Sequence, residues 1–579
     1  MTHPGPTLLF SDRIHAEKYR LPGETFDEAN ARLCGALKDD DSHYRVIRDI
    51  TGDMRFLPAG RVQAAMGSPK AVTPYNCYVS GKINDSFTTG EGNIMLRASE
   101  AAETMRMGGG IGYNFSHLRP RGSLIKSLMS TASGPISFMH IYNAVCKCVQ
   151  SSGHRRGAQM GVLRVDHPDI EEFVQIKQQL GVLEGFNISI AVTDAFMEAL
   201  ERGDKQFPLT FEGEVIRYVD PVALWESIMR ATWDWAEPGV LFIDAINRMN
   251  NLWYCEEIEA TNPCGEQPLP PYGACLLGSF NLVRYLKKDL AGYTFDWDQY
   301  RADIAPVVRM MDNVVDRAIY PLPQQEQEAK QKRRMGLGIT ALANAGEALG
   351  FPYGSPDFLK FEEQVLTLLR DETYKASALL AAEKGAFPLF DLRYMKGEFI
   401  QTLPADVRGL IMEHGIRNSH LTSIAPTGTI SLAANNISSS IEPVFEYESK
   451  RVVNMPEGQI TVDISDYGFR ELGVRGVQAD DVTADEHLSV LAVAARLVDS
   501  AVSKTVNMDG KKMSWDDFKN IYMRAWKDGC KGVTTFNKSG KRMGILLGKE
   551  DPEVEVPEVE VADGDSCEFD PATGRRSCE

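Results

Sequence analysis

The sequence predicts an α/β protein built on parallel strands, and three observations carry that expectation. Through the middle of the chain, short apolar, β-prone runs alternate with longer segments whose apolar residues recur at helical spacing, the pattern that sets helices between parallel strands. The clearest strand is Phe186 to Val192, and the clearest helix is Phe361 to Lys384, with Gly385 marking its end. At 579 residues and 43% hydrophobic composition, the chain has the material for a sizeable core.

Charge narrows the function classes. A formal net charge of -18 and a pI near 5.2 argue against a nucleic-acid polymer as partner, while local basic clusters can still meet phosphates, so a nucleotide is the expected ligand. No apolar run reaches the length of a membrane span, and Met1 to Arg20 lacks the apolar centre of a signal peptide. No membrane partner is expected, and the expected compartment is the cytoplasm. The ten cysteines are scattered, which favours reduced or catalytic thiols over a disulfide framework. Cys34, Cys146, Cys148, Cys255 and Cys530 show no zinc-type spacing, and no metal site is expected.

Taken in order, residues 1–54 read as a short helical lead-in with an amphipathic helix at Glu24 to Lys38, 55–548 as the main body, and 549–579 as an acidic tail. Tyr75-Asn76-Cys77-Tyr78-Val79 alternates as a strand does. The glycines of Met107 to Asn114 lack dinucleotide-fold spacing and the later acidic residue, so they predict a turn allowing close backbone approach. Ser151 to Ala158 is basic and glycine-bearing within an acidic protein, which suits a loop that meets a triphosphate. A helix at Pro168 to Lys177 and the loop Lys177 to Gly185 lead into the strand at Phe186.

Further on, Leu421 to Ala425 is β-prone and stops at Pro426. Thr427, Gly428, Thr429, Ile430 and Ser431 then open a helix whose N–H groups and hydroxyls could hold an anion. Thr483 to Glu486 is a capping-box pattern ahead of a helix at Leu488 to Val502. Asp551 to Asp565, rich in Pro, Glu and Val, predicts a mobile linker that ends in Cys567 and Cys578, two thiols able to pass electrons by exchange.

The chemistry concentrates in Thr261-Asn262-Pro263-Cys264-Gly265-Glu266-Gln267-Pro268-Leu269. The prolines exclude a helix and predict an extended loop, in which Asn262, Cys264 and Glu266 project the same way. A thiol that can exchange a hydrogen atom would then stand beside a carboxylate that can take a proton and an amide that can hold a hydroxyl.

This run resembles the finger loop of ribonucleotide reductase catalytic chains. Arg55-Phe56-Leu57-Pro58-Ala59-Gly60-Arg61, the segment Phe115 to Pro120 and the Pro426-Thr427-Gly428-Thr429 run are similar to that family too. The resemblance implies a ten-stranded α/β barrel of two five-stranded parallel halves around Cys264, which as a thiyl radical would remove the ribose 3′-hydrogen. Glu266 would take the 3′-hydroxyl proton, and Asn262 would orient the sugar. Cys77 and Cys275 would be the reducing pair, and Thr427 to Ser431 the substrate-phosphate site. Ser151 to Ala158 and Lys177 to Gly185 would be specificity loops. Asp85 and Arg156 would hold a dNTP or ATP effector. The tail cysteines would receive electrons from a thioredoxin or glutaredoxin-type reductant, and a homodimer is implied. The early position of Arg55 to Arg61 leaves no room for a complete ATP cone.

Where members served by a separate metal-radical subunit carry two adjacent tyrosines, the run Gly529 to Asn537 has Thr534 and Thr535. That resembles the adenosylcobalamin-dependent class, with adenosylcobalamin as cofactor and a ribonucleoside diphosphate as the expected substrate. The alternatives are a catalytic subunit of the two-subunit class and a non-catalytic nucleotide-sensing or thiol-redox protein.

Overall fold

The computed structural model describes residues 3, 5–125, 128–151, 155–156, 158–178, 181–455, 458–541, 568–570 and 575–577. Three helices open the chain: Leu9–Tyr19, Phe26–Leu37 and Asp41–Gly52. The second lies within the expected Glu24 to Lys38, because Thr25 and Glu28 form a reciprocal capping box that sets its start.

The strands that frame the site are β1 (Phe56–Pro58), β2 (Cys77–Val79), β3 (Gly110–Asn114), β4 (Gln159–Arg164), β5 (Phe186–Val192) and β6 (Gly239–Phe242). They are followed by β7 (Ala274–Cys275), β8 (Leu277–Asn281), β9 (Gly336–Thr340), β10 (Thr505–Met508) and β11 (Gly532–Asn537). One eight-stranded sheet runs in the order β7-β2-β3-β4-β5-β6-β11-β10. Within it β2 to β6 are mutually parallel, as are β10 and β11, while β7/β2 and β6/β11 are antiparallel. A second sheet orders β1-β8-β9, with β8 and β9 parallel. Isolated parallel bridges extend it: Leu337 of β9 pairs with Thr422, and Ile424 pairs with Val502. The fold is therefore mixed α/β with a large parallel-rich sheet, as the alternation of strands and helices predicts.

Helices cover the strands from outside. Ile111 and Tyr113 of β3 join a core built with Ile94–Arg106, Pro135–Cys148 and Pro221–Trp235, whereas Leu337 and Ile339 of β9 join a second core shared with the N-terminal helices and Pro356–Lys384. The long helix begins five residues before the expected Phe361 because Ser355 caps it at Phe358 N and Pro356 occupies its first turn. The helix Ala484–Leu497 has the predicted capping box at Thr483 but stops short of Val502, which pairs with Ile424 in the sheet instead. The segment expected as a helix at Pro168 to Lys177 is the shorter Ile170–Gln175, tightened into a 3-10 turn at Ile176–Gln178. Among the described residues, no helix is long and apolar enough to cross a membrane.

Glycine placement lets a loop enter between the two sheets. In a strand alternate residues face one side, so Gly110 and Gly112 turn one way while Ile111 and Tyr113 face the helices. A Cβ on Gly112 would collide with the Thr261 carbonyl oxygen, and one on Gly110 would lie 3.2 Å from the Pro263 ring and 3.3 Å from Cys77 Sγ. Opposite them, Gly336 meets the Gln267 amide and Gly338 meets the Ser423 carbonyl. The expected close approach at Met107 to Asn114 is present. It falls within a strand rather than at a turn.

Candidate functional site

The loop carrying Cys264 is a tight hairpin tip, which corrects the extended conformation expected from its prolines. Ala260 pairs with Leu269 and Thr261 with Pro268 in antiparallel register. Asn262 N donates to Gln267 O at 3.1 Å, and Asn262 Oδ1 accepts from Gly265 N at 3.1 Å and Gln267 N at 3.0 Å. Gly265 has φ +83°, a left-handed conformation that glycine adopts without strain. The Asn262 carbonyl side of the amide thus shapes the turn, and its buried Nδ2 has no hydrogen-bond partner among the described residues.

Each limb of the hairpin is tied to a different part of the sheet. Pro263 O accepts from Asn187 Nδ2 of β5 at 3.1 Å. On the return limb, Glu266 O accepts from Ala501 N at 2.9 Å and from Ser423 Oγ at 2.9 Å. Asn262 and Glu266 are buried, while Cys264 is half-buried.

Cys77 and Cys275 face one another as register partners of β2 and β7. Antiparallel neighbours stand about 4.5–5.5 Å apart at Cα, within the range a disulfide spans. Both are buried thiols, and Cys275 Sγ donates to Cys77 O at 3.3 Å. Burial pushes the Cys275 thiol well above its ordinary range, with Cys77, Glu266 and Cys264 adding to the shift. The structure therefore brings together all five residues of the predicted reactive set, and Cys275 is held as the protonated thiol.

Cys264 opens onto a cleft lined also by Asn187, Ser189, Glu237, Gly239, Thr534 and Thr535. Thr535 Oγ1 shares a 2.8 Å hydrogen bond with Tyr522 OH.

The predicted anion loop lies at the end of the neighbouring strand. Gly428–Ala433 is helical, and Thr427 precedes it with φ +55°. Thr340, the last residue of β9, hydrogen-bonds both Thr427 Oγ1 and Ser431 Oγ at 2.9 Å, and Ser440 N donates to Thr427 Oγ1 at 2.7 Å. These hydroxyls are buried and engaged with one another. They fix the start of the helix, whose first-turn N–H groups have no acceptors within the helix itself.

The predicted effector residues make contacts of their own. Asp85 accepts from Arg119 Nε in an ion pair. Arg156 lies in the two-stranded hairpin Gln150–Ser151 with Arg155–Arg156, and its side chain is outside the described residues, as are Cys567 and Cys578. Sequence reasoning missed Asn187, Glu237, Thr340 and Ser440. The repeated Gly-x-Gly of Gly110 to Gly112 and Gly336 to Gly338 was the available sign that two strands make room for one loop.

A thiol at a hairpin tip, a buried thiol pair on adjacent strands and a buried carboxylate define an oxidoreductase-type site set into a parallel-rich α/β sheet. The family described as "Ribonucleotide reductase, barrel domain" matches residues 76–477 and 476–536. The "Vitamin B12-dependent ribonucleoside-diphosphate reductase" of Mycobacterium tuberculosis is 36% identical over 559 residues, covering 91% of this chain and 75% of that one. The protein of the same description from Thermoplasma acidophilum is 33% identical over 542 residues, covering 86% and 67%. The "Ribonucleoside-diphosphate reductase subunit alpha" of Chlamydia pneumoniae is 25% identical over 549 residues, covering 79% and 51%. This chain belongs to the ribonucleotide reductase family.

Proposed function

We propose that the chain is the catalytic chain of an adenosylcobalamin-dependent ribonucleotide reductase that converts ribonucleoside diphosphates to 2′-deoxyribonucleotides for DNA precursor synthesis. The observation that carries the reading is the register pairing of Cys77 with Cys275 beside the Cys264 hairpin, which joins a reductant to a hydrogen-abstracting thiol in one buried site.

Cys264, as a thiyl, removes the ribose 3′-hydrogen. Glu266 takes the 3′-hydroxyl proton, and Asn262 Nδ2 donates to a sugar hydroxyl while its Oδ1 holds the turn. The 2′-hydroxyl leaves as water. Cys77 and Cys275 together give up two protons and two electrons and join as a disulfide, and Cys264 returns the hydrogen to C3′ as the product forms, which leaves it as the thiyl again. A protonated Cys275 suits this, because the leaving hydroxyl needs a proton. The N–H groups at Gly428 to Ile430 hold the substrate phosphate, with Thr340, Thr427 and Ser431 fixing them, which anchors the ribose relative to Cys264.

The cleft beside Cys264 fits the adenosyl part of the cofactor. Its lining combines the small residues Gly239, Gly532 and Ala236 with the apolar Met160, Leu241 and Phe536, the Ser189 and Thr534 hydroxyls and the Glu237 carboxylate, and a Cβ added at Gly265 would meet nothing within 4 Å. Adenosylcobalamin, when bound, supplies a radical by cleavage of its cobalt–carbon bond. The lower identity to the two-subunit relative and the threonines at 534 and 535 favour this class over the one served by a metal-radical subunit.

The strand pairings support a closed ring of ten strands. The parallel half β2 to β6 meets β11, which continues through β10 and Val502 to Ile424, through Thr422 to β9 and β8, and returns by β7 to β2. Residues 55–548 would form this barrel, 1–54 a helical lead-in and 549–579 the redox tail. Asp85 and Arg156 would bind a dNTP or ATP effector, Cys567 and Cys578 would relay electrons from a thioredoxin or glutaredoxin-type protein, and the working unit would be a cytoplasmic homodimer. The test is nucleotide turnover with a small dithiol, with and without adenosylcobalamin. Product only in its presence is expected, and no product under either condition would remove the proposal.

A further inference from the structure

Asn187 grips the peptide next to the reactive cysteine, and we propose that it is a positioning residue for Cys264, the point through which the Lys177–Glu237 pair fixes where that thiol sits. Asn187 is the second residue of β5, and its Nδ2 donates to the carbonyl oxygen of Pro263, the peptide that joins Pro263 to Cys264, at 3.1 Å. Asn187 and Cys264 line the same cleft. The bond spans 76 residues of sequence, so it fastens the hairpin to the opposite half of the molecule from the one that holds Glu266.

Asn187 is itself held from behind. Lys177 Nζ donates to Leu183 O at 3.2 Å and Phe186 O at 2.5 Å, drawing the beginning of the loop onto the start of β5. Lys177 Nζ also lies 3.3 Å from Glu237 Oε2, and Glu237 Oε1 accepts from Ile188 N at 3.1 Å. Lys177 and Glu237 side chains are only 11% and 9% exposed, so water screens this pair little. Phe186 and Ile188, the residues on either side of Asn187, are thus both clamped by the same ion pair. The amide between them has a rigid base from which to hold the Pro263 carbonyl, and a shift of the Lys177–Glu237 pair would be passed to Cys264 through one hydrogen bond.

The inference rests on Cys264 being the hydrogen-abstracting thiol, and the experiment separates the two. In the purified full-length protein with adenosylcobalamin, Asn187→Ala is expected to lower kcat by about tenfold to a hundredfold with KM within about twofold, because a misplaced reacting atom costs rate rather than binding. Without the cofactor, iodoacetamide should alkylate Cys264 in Asn187→Ala several-fold faster than in the native chain, read by peptide mass spectrometry. Asn187→Asp keeps the size and loses the N–H donor at neutral pH. Its activity relative to the native chain should rise as pH falls and its protonated carboxyl can donate to Pro263 O again. Native kcat and native Cys264 alkylation in both variants, with Cys264→Ser inactive, would overturn the positioning role alone. Turnover by Cys264→Ser would overturn the role together with the reading beneath it.

Discussion

Cys264, Cys77 and Cys275 are chemically alike and structurally distinct, and substitution should separate them. Cys264→Ser should abolish product formation while substrate binding stays within about twofold of native, because a hydroxyl oxygen does not form the radical that a thiol sulfur does and the hydrogen bonds of the turn come from Asn262 and Gln267. Cys77→Ser or Cys275→Ser should permit at most about one turnover per chain, the reducing pair being incomplete. Rapid-quench and steady-state assays distinguish these outcomes, and normal steady-state turnover in Cys264→Ser would remove Cys264 from the mechanism. A different residue gives a pH prediction. Burial pushes the Glu347 carboxyl from its ordinary 4.5 up to about 8, while Val477 N donates to it at 2.6 Å. The folded state then holds that proton more tightly than the unfolded one. The associated stability is fully present below 4.5 and is lost as pH rises through about 8. Glu347→Gln should therefore gain stability relative to the native chain as pH goes from 5 to 9, by on the order of 1–3 kcal/mol in denaturant unfolding. A difference that stays flat over that range would show that the carboxyl is not protonated in the fold.

At the level of elements, the loop and the strands that admit it have to be considered together. Gly112→Ala sets a Cβ against the Thr261 carbonyl oxygen, a backbone atom with little freedom to move. It should cost about 1–3 kcal/mol and most of the activity. Gly35→Ala, in the helix Phe26–Leu37 with nothing within 4 Å, should instead stabilise by about 0.5–1 kcal/mol and leave turnover unchanged. Urea unfolding of the two variants checks the opposite signs. Much of this level was legible in the sequence: Phe186–Val192 is a strand at the expected residues, and the capping box at Thr483 and the long helix are present. The hairpin tip was not, because the prolines outweighed the Asn262 and Gly265 turn signals when only local preferences were counted. Thr340 and Asn187 escaped notice for a different reason. Their partners Thr427 and Pro263 lie 87 and 76 residues away, and no periodicity reports a contact made by tertiary pairing. The residues of the reactive loop were readable since their types are chemically unusual side by side, and the family pattern then supplied the distant cysteines that geometry now sets in register.

For the molecule as a whole, the open question is where the radical arises. Thr534 and Thr535 lie on β11 among the residues that line the cleft with Cys264, so these two positions offer aliphatic hydroxyls rather than phenols. The buried Tyr522 shares a hydrogen bond with Thr535 Oγ1, and Tyr522 is not among the residues that line the cleft. Threonine hydroxyls are far harder to oxidise than phenols, so a hopping route through 534 and 535 is closed, which favours the proposal of a radical source seated in the cleft. The purified protein should therefore be inactive until adenosylcobalamin is added and should then turn over with a dithiol and no second protein. Binding can be followed apart from turnover, as the change in the cobalamin visible spectrum on titration with the chain. Filling the cleft by Gly239→Val, where a Cβ already approaches Ser189 Oγ at 2.9 Å, should weaken that spectral change by about tenfold or more in affinity. Activity that instead required an iron- or manganese-bearing subunit, with no response to the cobalamin, would place the radical source outside the chain and overturn the class assignment.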